Sequence, residues 1–116
     1  MIDYEPSPVL DTIAALAKAG ADPDKLCDAC SEHLPTLMAA EHSATARLRL
    51  EEIARLMKFS TSRPPPPEAI ARLRAWPGAR LTELAETIAA LHADIQTAEI
   101  ERMNDAIGRE ISRAYS

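Results

Sequence analysis

Glycine and aromatic residues are nearly missing from this chain. Its 116 residues include three glycines (Gly20, Gly78, Gly108) and four aromatic side chains (Tyr4, Phe59, Trp76, Tyr115). β-Sandwiches and glycine-rich nucleotide-binding folds use more of both, so these classes are excluded first. There are two cysteines, too few for a disulfide framework, which fits a reducing cytoplasm. No uncharged apolar run approaches the roughly 20 residues of a membrane span. No basic segment followed by an apolar stretch opens the chain, so no signal peptide is read. What is present is a 47% apolar composition in a length suited to one domain, which we expect to span residues 1–116.

The net charge of −5 argues against general nucleic-acid binding, and its distribution says more than its sum. Residues 1–45 hold eight acids and two bases, a net of −6. Residues 46–80 hold three acids and eight bases (Arg47, Arg49, Arg55, Lys58, Arg63, Arg72, Arg74, Arg80), a net of +5. Residues 81–116 hold seven acids and three bases, a net of −4. This predicts a basic tip on an otherwise acidic rod.

Every periodic segment is helical. Residues 1–5 read as a flexible arm. Ser7-Pro8 is an N-cap followed by proline at the first helical position, and Val9, Leu10, Ile13, Leu16 and Ala17 recur at helical spacing until Gly20. Asp22-Pro23 repeats the starting signal. Leu26, Cys30, His33, Leu37, Ala40, Ala44 and Leu48 share one face, so a second helix is expected toward Phe59, kinked or broken at Pro35. Residues 60–67 (STSRPPPP) form a stiff Pro-rich connector. A short helix opens at Pro67 and stops by Trp76-Pro77-Gly78. The last helix, about 79–115, carries two stripes. Leu81, Leu84, Ile88, Leu91, Ile95 and Ala98 form one. Ile100, Met103, Ile107, Ile111 and Ala114 form another, roughly 140° around the helix at 3.6 residues per turn. The expected fold is all-α: a short N-terminal helix and an antiparallel long-helix hairpin, 36–59 against 79–115, with residues 7–34 covering the overhang and both acidic thirds opposite the basic tip.

Cys27-x-x-Cys30-x-x-His33 is the one motif with chemical potential. Two thiols and an imidazole are zinc-type ligands, but three on one helical turn make a poor tetrahedral cage, so these are candidates and no metal is expected. Acidic neighbours Asp24, Asp28 and Glu32 oppose thiolate formation and a redox role. No phosphate loop, nucleophile elbow or converging carboxylate pair occurs, so neither enzymatic activity nor a cofactor is expected.

In length, acidity and helix layout the chain resembles the small acidic chaperones of flagellar and type III export, helical hairpins that hold terminal helices of their clients. That likeness implies a non-enzymatic interaction protein taking a helical protein partner. The expected contact residues are Ile100, Met103, Ile107 and Ile111, with Trp76 as a further anchor. A homodimer is expected as well, because so small and elongated a chain buries little per residue. Two alternatives compete. One is a nucleic-acid-associated helix-turn-helix regulator of phage or plasmid origin, resting on the basic segment 47–80. The other is a small zinc-stapled helical domain.

Overall fold

A computed structural model describes the backbone of residues 8–61 and 63–115, with the side chains of these except 106 and 109–115. It is all-α, with no strand among the described residues. Helix α1 spans Pro8–Ala17, α2 Pro23–Ala39, α3 Ala44–Met57, α4 Pro67–Ala71 and α5 Gly78–Tyr115, with a single 3₁₀ turn at Arg72–Ala75. The expected arm at 1–5 and the Ser7 cap lie outside the described residues.

Local chemistry sets the helix ends. The Asp22 carboxylate accepts from the Lys25 N–H at 3.0 Å and Pro23 takes the first position, so α2 starts where the dipeptide predicts. Gly20, at φ +60°, lies just past α1 in the left-handed region that glycine enters without strain. At the end of α3 the same region is occupied by Lys58, at φ 61°, whose N–H bonds back to the last turn. Pro66 precedes α4 in extended geometry and Pro67 opens it.

The continuous helix expected beyond Pro35 is replaced by two. Helix α2 continues through Pro35, which is exposed, and ends at Ala39. The break comes at residues 40–43. There the Leu37 carbonyl accepts the Ala40 N–H at 3.3 Å and also meets His42 Nε2 at 2.6 Å, which fastens the turn to the end of α2. Ser43 then caps α3, its Oγ accepting from the Ala46 N–H at 3.3 Å. This break resets the helix rotation. Leu48 was expected on the buried face of Leu37 and instead lies 64% exposed, while α3 buries Ala46, Leu50, Ile53, Ala54 and Met57.

One hydrophobic core joins all the helices. Helix α1 packs on α2 and α5, α3 packs on α5, and α4 with the 3₁₀ turn packs on α2. The first α5 stripe supplies Leu81, Leu84, Ile88, Leu91 and Ile95, all buried. Ile13 and Leu16 meet them from α1, and Ile53 and Met57 from α3. Along the α3–α5 contact Arg49 reaches Asp94 while Arg80 reaches the Leu56 carbonyl, so residue order runs opposite ways in the two helices. The molecule measures 60 × 25 × 20 Å. Its long axis matches α5, whose 38 residues extend about 57 Å at 1.5 Å per residue. No helix among the described residues is long and apolar enough to cross a membrane.

The expected segregation of charge does not occur. Arg74 lies 3.3 Å from Asp24 and 3.7 Å from Asp28, and Arg49 lies 3.0 Å from Asp94. Both acidic thirds therefore send carboxylates to the basic segment. Folding α4 and the 3₁₀ turn back onto α2 brings opposite charges together, which a rod with one basic tip would have kept apart.

Candidate functional site

Among the described residues the buried stripe of α5 ends at Ile95, and the helix runs on to Tyr115. Val9, near the start of α1, lines a cleft of about 300 Å³ together with Ala46, Ile95, Ala98 and Arg102, so α1 reaches α5 at that level. Glu41, His42 and Ser43 of the α2–α3 turn and Glu99 complete the cleft. Its walls combine apolar surface with groups of both charges. Glu99 and Arg102 form an ion pair at 2.8 Å beside it.

Beyond this cleft the second α5 stripe emerges. Ile100 is 53% exposed and Ile107 37% exposed, and Met103 between them is half-buried. Spacings of three and four keep the three on one face of the helix. The side chain of Ile111, expected to extend the stripe, lies outside the described residues. Segment 7–34 was expected to cover this overhang. Among the described residues, Val9 of α1 faces Ala98 and Arg102 across the cleft, and Ile100 and Ile107 remain exposed.

Trp76 does not share this patch. Its ring is half-buried against the core, and the Arg80 guanidinium lies 4.3 Å above its centroid. Arg80 also donates to the Leu56 carbonyl at 3.1 Å, which ties the start of α5 to the end of α3. From Gly78 to Ile100 is about 33 Å along the helix, so the indole sits at the far end of α5 from the stripe.

The eight basic residues divide into two groups. Arg49, Arg74 and Arg80 are committed to Asp94, to Asp24 and Asp28, and to Trp76. Hydrogen bonds to Asp94 and then Glu52 raise the Arg49 guanidinium above its ordinary value. Arg47, Arg55, Lys58, Arg63 and Arg72 are exposed and form no ion pair among the described residues. Leu48 stands among the first of these on the outer face of α3. The uninterrupted periodicity hid it; the available signal was Ser43, a cap residue preceding a new helical run.

The Cys-x-x-Cys-x-x-His segment faces inward. Cys27 and Cys30 are free thiols in the core, 5% and 1% exposed. Cys27 Sγ donates to the Ile70 carbonyl of α4 at 3.5 Å. Burial, and secondarily the neighbouring Cys27, pushes the Cys30 thiol up to about 12. His33 is half-buried and lies 3.7 Å from the Glu32 carboxylate. Among the described residues no three metal-type side chains converge. Burial keeps the Cys30 thiol protonated, and both cysteines pack in the core as small apolar groups.

No protein-family model, curated protein or solved structure matches the chain.

Proposed function

We propose that this chain is a non-enzymatic helical interaction module. It presents the outer face of α5 beyond Ala98 to an amphipathic helix of a protein partner. The observation that carries this reading is the exposure of Ile100 and Ile107 on one face of α5, beyond Ile95, the last buried residue of that helix among the described ones. Large apolar side chains clustered on an exposed face cost solubility, and a partner that covers them recovers the hydrophobic term. The adjacent cleft, with Val9, Ala46 and Ile95 in its wall, offers a seat for one anchoring side chain. On this reading α3 and the first half of α5 form the supporting hairpin, and the overhang is the working part, as in an adaptor or small acidic chaperone. The two free core cysteines suit a reducing cytoplasm.

The test is retention of protein from the native host by the intact chain and by the Ile100→Glu, Ile107→Glu double variant. Both positions are exposed, so the variant keeps its helical circular dichroism. The reading expects a defined partner held by the parent chain and lost from the variant. An identical set of retained proteins would overturn it.

A second reading, nucleic-acid association, draws on the five exposed unpaired cations. They lie outside α1 and α2, which the helix-turn-helix alternative would use for base contacts. A mobility shift at low salt that disappears with added salt would favour it.

A further inference from the structure

The large apolar side chains exposed among the described residues are Leu48, Ile100 and Ile107. They are divided between two surfaces of different charge. Ile100 and Ile107 lie on the α5 overhang, where described residues 99–108 carry Glu99, Glu101 and Asp105 against Arg102, a net of −2. The whole overhang, 99–115, stays negative at −1, with Arg109 and Arg113 against Glu110. Leu48 lies on the outer face of α3, whose exposed charges are Arg47 and Arg55 against Glu51, a net of +1, with exposed Lys58 just past its end.

We infer that the partner helix of the α5 overhang is contributed by a second copy of this chain. The overhang of one protomer lies on the outer face of α3 of the other, with Ile100 and Ile107 packing against Leu48. This identification rests on the reading of the overhang as a docking face and names what docks there. Three relationships carry it. Apolar groups are present on both surfaces, so each contact covers exposed carbon on both sides. The net charges are opposite, which favours this pairing over overhang against overhang or α3 against α3. The lengths agree: the 14 residues of α3 extend about 21 Å, and the 17 residues from 99 to 115 about 25 Å.

Symmetry supplies the closure. Each copy has one overhang and one α3 face, so two copies arranged head to tail make the contact twice and leave neither surface open. A single one-way contact would leave one of each free and propagate into a filament. Two reciprocal contacts also bring the buried area nearer the roughly 1,200 Å² of a specific interface.

The experiment is sedimentation equilibrium of the full chain over a range of concentrations, at about 0.05 M and about 0.5 M salt, screening lengths of roughly 14 and 4 Å. The expected result is a dimer that weakens at the higher salt. Leu48→Glu and Ile107→Glu should each raise the dissociation constant by about tenfold or more, equivalent to about 1.4 kcal/mol. Arg47→Glu with Arg55→Glu should weaken the dimer, as should Glu101→Lys with Asp105→Lys. The four changes together should restore it, which separates a contact from a folding defect. A monomer at every concentration would overturn the inference while leaving the docking reading intact if the host partner is still lost from the Ile100→Glu, Ile107→Glu variant. A dimer broken by Ile107→Glu but indifferent to Leu48→Glu and to the α3 charge reversal would also overturn it, because the overhangs would then pair with each other.

Discussion

Arg49 of α3 holds Asp94 of α5, with Nε 3.0 Å from Oδ2, and the same guanidinium lies 3.3 Å from Glu52 on its own helix. One side chain thus joins a basic segment to an acidic one across the α3–α5 contact. The Arg49 side chain is 41% exposed, so water and salt screen it. Asp94→Asn should lower the melting temperature slightly at low salt and by less at high salt. Thermal unfolding of both proteins at two salt concentrations checks this. Equal losses at both would contradict an ion pair.

Pro35 sits inside α2 without breaking it. Proline offers no N–H, so the Ser31 carbonyl lacks its usual intrahelical donor, and the ring crowds the preceding turn. Exposure of Pro35 lets water meet that carbonyl. Pro35→Ala should stabilise the fold by about 1–2 kcal/mol, the helical gain being partly offset by a more flexible unfolded chain. Urea denaturation measures it. A loss of stability would mean that the proline shapes the α2 packing.

Arg80 covers the Trp76 ring and donates to the Leu56 carbonyl. Arg80→Met keeps part of the aliphatic stem but removes both polar interactions. We expect a loss of about 1–2 kcal/mol and a changed emission from the one tryptophan of the chain. Unchanged fluorescence and stability would show that the indole is seated by the core alone.

Cys30 makes the fold sensitive to alkali. Its thiol titrates near 12 in the folded chain, against an ordinary value near 9. The folded value is raised, so this contribution is fully present below pH 9. It declines as pH rises through that window, where the unfolded thiol ionises and the folded one does not. The slope is about 1.4 kcal/mol per pH unit. Cys30→Ala leaves a cavity and lowers stability at pH 7, but its stability should fall less steeply between pH 9 and 11. Denaturation at several pH values separates the two effects. Equal slopes would contradict burial of the thiol.

Much of the helix plan is legible from individual residues. Asp22-Pro23, Pro67 and Trp76-Pro77-Gly78 mark boundaries by backbone chemistry that needs no tertiary partner. The first α5 stripe is legible because Leu81 through Ile95 keep one phase over four turns. The break at 40–43 is obscured because the bond from His42 to the Leu37 carbonyl five residues back has no composition cue, and Ala39 and Ala40 are strong helix formers. The connector at 60–67 places the end of α3 within two residues, but the cap itself is not legible, since Lys58 takes a left-handed conformation that usually belongs to glycine. The exposed pair Ile100 and Ile107 was visible as a change of phase, whereas Leu48 required knowing where α3 begins. The mixing of charges depended on how α4 folds back, which composition does not encode.

The account depends on the Ile100 and Ile107 face of α5 having no packing partner among the described residues of its own chain. A helix of this length without tertiary contacts is marginal in water. Backbone hydrogen exchange along α5 tests this most directly, in dilute protein and again at high concentration or with a bound partner. The account predicts strong protection from Leu81 to Ile95 throughout. Residues 99–108 should exchange faster by orders of magnitude when dilute and become protected on association. Core-level protection of 99–108 in a dilute monomer would contradict it.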